Sequence, residues 1–173
     1  DVYKRQSLAL ASIDLSKAFD TVRHAQILES LRLKGIQEYL IKAVSDVIER
    51  ASMKVYMNGK SFKFKPQRGV PQGLSVSGLL FITALDDILQ TGQEKYPYIT
   101  QIGSVPIGAV GLVDDMILMS DTKENLNKKL KLVHAKLLLS GWEINESKSF
   151  GFSWLRDGRG RILEEGELEL WGD

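Results

Sequence analysis

Two apolar runs far apart in the chain each end on aspartate: Ser7–Ile13 leads into Asp14, and Gly111-Leu112-Val113 leads into Asp114-Asp115. If the first run is a strand lying beside a hairpin built from the second, Asp14 and Asp114 meet at one sheet edge although a hundred positions separate them. Oxygen donors of this kind, in a chain with no cysteine and only two histidines, point to a hard cation such as Mg²⁺, which takes oxygen ligands and substrate phosphates. Phosphoryl-group chemistry follows as the expectation. Two-metal catalysis needs such convergence, because carboxylates bridge ions roughly 3.5–4 Å apart that serve the attacking and leaving oxygens. A single aspartate at a strand end more often closes a turn, and Asp-Asp is common in hairpin turns, so neither run decides the chemistry alone.

The 173 residues suit one domain with a core of its own. The absence of cysteine excludes disulfide frameworks, thiolate zinc sites and cysteine nucleophiles. His24 and His134 are too isolated for a nitrogen-ligand metal site and are read as ordinary helix residues. A net charge of +1 gives too weak a field to hold a polyanion, but its distribution is uneven. Arg50, Lys54, Lys60, Lys63, Lys65 and Arg68 form a stretch without acidic residues, interleaved with Tyr56, Phe62 and Phe64. That stretch is either a phosphate-tracking surface or a solvated hairpin face. From Arg156 onward three arginines stand against six acidic residues, which argues against nucleic-acid contact there. No apolar stretch reaches membrane-span length and the start carries no signal-peptide pattern, so neither a membrane segment nor secretion is expected.

The short apolar run Ser7–Ile13, ending at Asp14, suits a buried strand, and residues 1–6 fit no element. Ile27, Leu28, Leu31 and Leu33 have helical spacing closed by Gly35, and a second helix carries Leu40, Val44, Val47 and Ile48. Met53, Val55 and Met57 alternate up to Asn58-Gly59, a tight-turn dipeptide, and Phe62 and Phe64 alternate on the return strand. After the breaker-rich loop 67–73, Leu79, Leu80, Ile82, Leu85, Ile88 and Leu89 predict a helix ending near Gly92, and residues 93–104 read as loop. Val105–Val113 and Met116–Met119 read as two strands, and Leu126, Leu130, Val133 and Leu137 as the stripe of a Lys-rich helix. Phe150–Leu155 and Leu168–Trp171 close the chain as strands around a turn at 157–160. This order predicts an α+β domain with helices packed on an antiparallel sheet.

Four segments occur in a telling order: Asp14-Leu15-Ser16-Lys17-Ala18-Phe19-Asp20; Arg68-Gly69-Val70-Pro71-Gln72-Gly73 with Ser77-Gly78-Leu79-Leu80-Phe81; Val113-Asp114-Asp115; and Gly141-Trp142-Glu143-Ile144-Asn145 with Lys148-Ser149. Together they resemble the palm domain of reverse transcriptases, most closely those of non-LTR (LINE-type) retrotransposons. The resemblance runs over residues 8–152. It implies a polymerase palm with part of the fingers over residues 7–155, with residues 1–6 outside the fold and 156–173 forming an incomplete hairpin.

By that resemblance Asp14 and Asp114 are catalytic metal ligands, Asp115 is the neighbouring carboxylate and the Leu15 carbonyl is a backbone ligand. The implied cofactor is a pair of Mg²⁺ ions, with Mn²⁺ as the alternative. Phe19 matches the bulky residue under the incoming sugar, where a ring excludes a 2′-hydroxyl and selects deoxynucleotides. Gln72 and Gly73 match the segment that lies against the incoming nucleotide and template. Lys148 matches the lysine that meets the triphosphate and protonates departing pyrophosphate.

The implied activity is RNA-directed DNA synthesis, with an RNA template, a DNA primer and dNTPs as partners. In retrotransposons of this type the primer is a nicked genomic target, which implies the nucleus. Template recognition is expected through backbone and heteroduplex shape, with the basic residues between 50 and 68 as candidates. Two departures stand out: Leu74, Ser75 and Gly78 replace an Asp and two Pro common in the family, and Leu112-Val113 replaces an aromatic and Ala. Thirteen residues precede Asp14, so fingers segments, thumb and endonuclease domain are expected to lie outside this chain. An alternative from another class is an inactive, truncated remnant that binds nucleic acid.

Overall fold

The computed structural model describes residues 7–170 except 72, 98–99, 103–104, 158 and 160. The described chain forms two compact units. The first comprises residues up to Ser16, Ile88–Leu139 and the segment from Glu143 onward; the second comprises Lys17–Asp87 with Ser140–Trp142.

The first unit is built on an antiparallel sheet with strand order β10-β9-β1-β7-β6, where β1 is Leu8–Ser16, β6 Ala109–Leu112, β7 Asp115–Ser120, β9 Phe150–Arg156 and β10 Ile162–Leu168. A two-residue strand, β8 (Glu143–Ile144), pairs with the end of β1. β1 is central because its small and branched residues alternate strictly: Ala9, Ala11, Ile13 and Leu15 are buried and their neighbours half-buried. Met116 and Leu118 of β7 are buried too, as are Leu126, Leu130, Val133 and Leu137 of the helix α5 (Lys123–Ser140). These residues make the core of this unit.

The second unit holds three helices, α1 (Ala18–Thr21), α2 (His24–Leu33) and α3 (Glu38–Arg50), a hairpin of β2 (Met53–Met57) and β3 (Lys60–Phe64), and the start of α4 (Ser77–Lys95). Asn58 and Gly59 have φ of 51° and 73°, the left-handed pair that a two-residue turn with the right twist requires. Every residue of β2 and β3 is exposed.

Several expectations are corrected. β1 continues past Asp14 to Ser16, because β8 supplies it with a further partner. The run 105–113 is broken at Gly108 into β5 (Val105–Ile107) and β6, and 93–104 holds the end of α4 and a strand, β4 (Thr100–Ile102). The last strand among the described residues is Ile162–Leu168, where Leu168–Trp171 is expected from the sequence and Trp171 lies outside the described residues: it is an edge strand, largely exposed, so it carries no apolar alternation to read. On α3 the buried residues are Ile41 and Ile48, one helical face seven positions apart, while Leu40 and Val47 are exposed. The α1 turn was not anticipated. No described helix is long and apolar enough to cross a membrane.

Lys129, in the middle of α5, is 1% exposed, and its ammonium donates to the carbonyls of Gly108 (3.2 Å) and Met119 (2.9 Å). It therefore holds the open end of the β6–β7 hairpin in register. Burial pushes its pKa below the ordinary 10.5, against the charge of Asp121, which acts the other way. The unfolded chain then binds more protons than the folded one between the lowered value and 10.5, so this residue makes stability rise with pH in that window. Urea unfolding followed at increasing pH below 10.5 should show that rise diminished in Lys129→Met; identical slopes in both proteins would refute the coupling.

Candidate active site

Asp14 stands opposite Asp115 in the β1–β7 register. The Asp14 amide donates to Ser149 Oγ (3.1 Å) and its carbonyl accepts from the Asn145 amide (2.8 Å), so both backbone groups point away from β7. Asp14 and Asp115 are therefore a non-hydrogen-bonded cross-strand pair, the closer class, with Cα atoms about 4.5 Å apart and side chains on one face. That face is the outer one. Asp14 is half-buried and Asp115 exposed, whereas Ile13, Leu15 and Met116 point into the core.

Two carboxylates directly opposite each other repel, and a divalent cation bound to both relieves that repulsion. Asp114 adds a third from the two-residue turn that joins β6 to β7, where Leu112 pairs with Asp115. Its carbonyl accepts from the Leu15 amide at 3.3 Å, so the turn is bound to β1 just past Asp14. The first turn residue, Val113, has φ of 57°. A β-branched residue is an outlier there, where glycine is the usual choice, at a cost of order 1–3 kcal/mol. Strain thus sits in the residue directly before Asp114.

Lys148 Nζ lies 3.8 Å from Asp14 Oδ2 and the lysine side chain is 66% exposed. That is a loose ion pair with little worth for stability, but it puts a mobile ammonium at the carboxylates. Asp14, Leu15, Asp114, Asp115 and Lys148 are thus brought to one corner of one unit.

Among the described residues no three Asp, Glu, His or Cys side chains are grouped to hold a metal ion by themselves. Mg²⁺ ordinarily takes one or two carboxylates and completes its shell with water and substrate phosphates, so the Asp14/Asp115 pair with Asp114 adjacent fits it by donor chemistry.

Phe19 and Gly73 belong to the other unit, and Gln72 lies outside the described residues. Phe19 stacks on Phe81 with ring centroids 4.5 Å apart and planes 11° apart. Phe81 in turn meets Trp142 edge-on at 5.4 Å. Gly73 has φ of +93°, and an added Cβ would meet nothing within 4 Å, so conformation and not crowding calls for glycine there.

The backbone around Phe19 is gripped from two sides. The Gly69 amide donates to Val22 O (2.7 Å) and the Val70 amide to Phe19 O (2.8 Å), while a Cβ on Gly69 would lie 2.7 Å from Asp20 O. Trp142 Nε1 donates to Ala18 O at 2.8 Å. Where the family's prolines are missing, Ser77 Oγ donates to Pro71 O (2.5 Å) and ties the loop to the start of α4. Sequence reasoning assigned no role to Gly69, Ser77, Val113 or Ser149. All four lie inside the motifs named above, which is the one signal the sequence offers for them.

A family model described as reverse transcriptase (RNA-dependent DNA polymerase) matches residues 3–162. The chain is 30% identical over 162 residues to the retrovirus-related Pol polyprotein of a type-1 retrotransposable element R2 of Nasonia vitripennis, covering 93% of this chain and 16% of that protein. It is 30% identical over 146 residues to that of the type-2 element R2DM of Drosophila melanogaster, covering 84% of this chain and 14% of the relative. It therefore spans only a small part of these relatives. Among solved structures, apo telomerase of Candida tropicalis truncated from its C-terminal domain aligns with a TM-score of 0.68 at 22% identity, over 88% of this chain and 32% of that one. Telomerase of Candida albicans, in complex with a fragment of telomeric RNA, aligns with a TM-score of 0.63 at 15% identity, over 84% and 28%. These two share the fold.

Proposed function

The chain belongs to the reverse transcriptase (RNA-dependent DNA polymerase) family, and on that premise we propose that it is the catalytic palm segment of a non-LTR retrotransposon polyprotein, extending a DNA primer with dNTPs on an RNA template. The observation that supports this best is the close pairing of Asp14 with Asp115 across β1 and β7, with Asp114 on the adjoining turn. Asp14, Asp114, Asp115 and the Leu15 carbonyl are the groups that would hold two Mg²⁺ ions. When bound, such ions supply a deprotonated primer hydroxyl and neutralise charge on the reacting phosphate.

The residues of the chain do the remaining work. The paired β1 holds Asp14, and the strained turn, tied to the Leu15 amide through the Asp114 carbonyl, carries Asp114. Lys148, exposed and close to Asp14, is placed to meet the triphosphate and to give a proton to departing pyrophosphate.

The hairpin β2–β3 carries the template-facing proposal. Lys54 and Lys63 are direct cross-strand partners on a face shared with Tyr56, and two ammoniums so placed repel unless a polyanion lies over them. A primer supplied by a nicked chromosome would put the reaction in the nucleus.

The test is template-primed deoxynucleotide incorporation by the polyprotein that carries this chain, with Mg²⁺; a parent protein that copies no RNA template would overturn the reading. Sugar selection is the second check. Phe19→Ala should admit ribonucleotides, raising their relative incorporation by about 10-fold or more, since steric exclusion by a ring is lost. Unchanged selectivity would leave Phe19 with only its stacking on Phe81.

A further inference from the structure

Along most of its length β1 is paired on the side away from β7 by strands: Leu8 to Ser12 face β9, and Leu15 and Ser16 face β8. At Asp14 neither strand is available. β8 ends at Ile144 and β9 begins at Phe150, and the connecting residues turn back on themselves, with the Lys148 and Ser149 amides both donating to Asn145 O (3.1 and 3.0 Å).

A side chain fills the gap. Ser149 Oγ accepts from the Asp14 amide (3.1 Å) and donates to Asn145 O (2.8 Å), while the Asn145 amide donates to Asp14 O (2.8 Å). The hydroxyl thus uses its one proton and a lone pair in a closed ring of three hydrogen bonds around the half-buried Asp14. The same turn carries Lys148, whose Nζ reaches to 3.8 Å from Asp14 Oδ2.

We infer that Ser149 is a positioning residue, its hydroxyl fixing the backbone of Asp14 and the placement of Lys148 together for the reaction. The inference rests on the polymerase reading for what is positioned, but not for the clasp itself. Without the hydroxyl, the Asp14 amide loses its partner, and the turn that carries Lys148 is held to Asp14 by the Asn145 amide with one bond of the ring in place of three. A displacement near 1 Å at a reacting centre costs about 10²-fold in rate. Threonine supplies the same hydroxyl.

The experiment compares Ser149→Ala and Ser149→Thr with the parent, in the polyprotein that carries the chain, by two readouts. The first is amide hydrogen exchange of the peptide containing Asp14, which should quicken in Ser149→Ala and not in Ser149→Thr. The second is steady-state incorporation, where Ser149→Ala should lose roughly 10–100-fold in kcat with a smaller change in the dNTP KM, and Ser149→Thr should recover to within a few-fold. Parent-like exchange in Ser149→Ala overturns the clasp. Quickened exchange with unchanged kcat overturns the positioning role and leaves the hydroxyl structural. A parent that incorporates nothing defeats the polymerase reading, and the exchange comparison still decides the clasp.

Discussion

Asp114→Asn is expected to lower template-primed deoxynucleotide incorporation by about 10³-fold or more, equivalent to roughly 4 kcal/mol of transition-state stabilisation. The side chain is exposed on a two-residue turn, and the amide is nearly isosteric, so the fold should not change. A carboxamide keeps one oxygen but loses the charge that a divalent ion needs. Thermal melting should therefore match the parent, or improve slightly, since one of three like charges at the corner of the sheet is gone. Full-length polyprotein, an RNA template with annealed DNA primer, and Mg²⁺ make the assay. Equal incorporation by parent and Asp114→Asn would remove the catalytic assignment of this turn. Equal absence in both would favour the inactive nucleic-acid-binding remnant.

Trp142→Ala is expected to have the largest effect on stability, with a loss of about 3–5 kcal/mol. The indole is fully buried, packs edge-on against Phe81, and donates to the Ala18 carbonyl at the start of α1. Truncation opens a large cavity and removes that donor at once. For a chain of this size the melting temperature should fall by roughly 10–15 °C, at about 2–4 °C per kcal/mol. Trp142→Phe keeps most of the packing and should lose only about 1–2 kcal/mol, the worth of one buried hydrogen bond and some contact area. Alanine and phenylalanine variants that melt alike would show that the hydrogen bond, and not the packing, carries the contribution.

Most of the legible parts of the fold are those where one face of an element is buried. α2, α5 and the first strand are readable because Ile27 and Leu31, Leu126 to Leu137, and the apolar run up to Ile13 mark buried faces. The 53–64 hairpin is exposed on both faces and is legible instead from its turn dipeptide Asn58-Gly59 and the alternation on either side. β10 is mostly exposed too but lacks that alternation, so it carries no signal. β4 and β8, two or three residues long, are too short for any period. The burial of Lys129 is not legible in the sequence, for a different reason. Its neighbours in sequence are lysines on a solvated helix, and only the carbonyls of Gly108 and Met119 make its burial tolerable.

The candidate site divides in the same way. The sequence by itself determined which chemistry was available: carboxylates, no thiols, and an ordered set of motifs that put the chain in a polymerase family. Those are properties of residue type and spacing, and they need no coordinates. Only the tertiary structure decided that Asp14 faces Asp115 as a close, non-hydrogen-bonded pair, that a valine in the left-handed region precedes Asp114, and that Ser149 completes β1 where no strand reaches it. Ser149 meets Asp14 across 135 positions, and Trp142 meets Ala18 across 124. Local periodicity says which side of an element is buried. It carries no information on which distant atom satisfies a given N–H, because that is set by strand order and register, where a shift of one residue would turn every side chain to the other face.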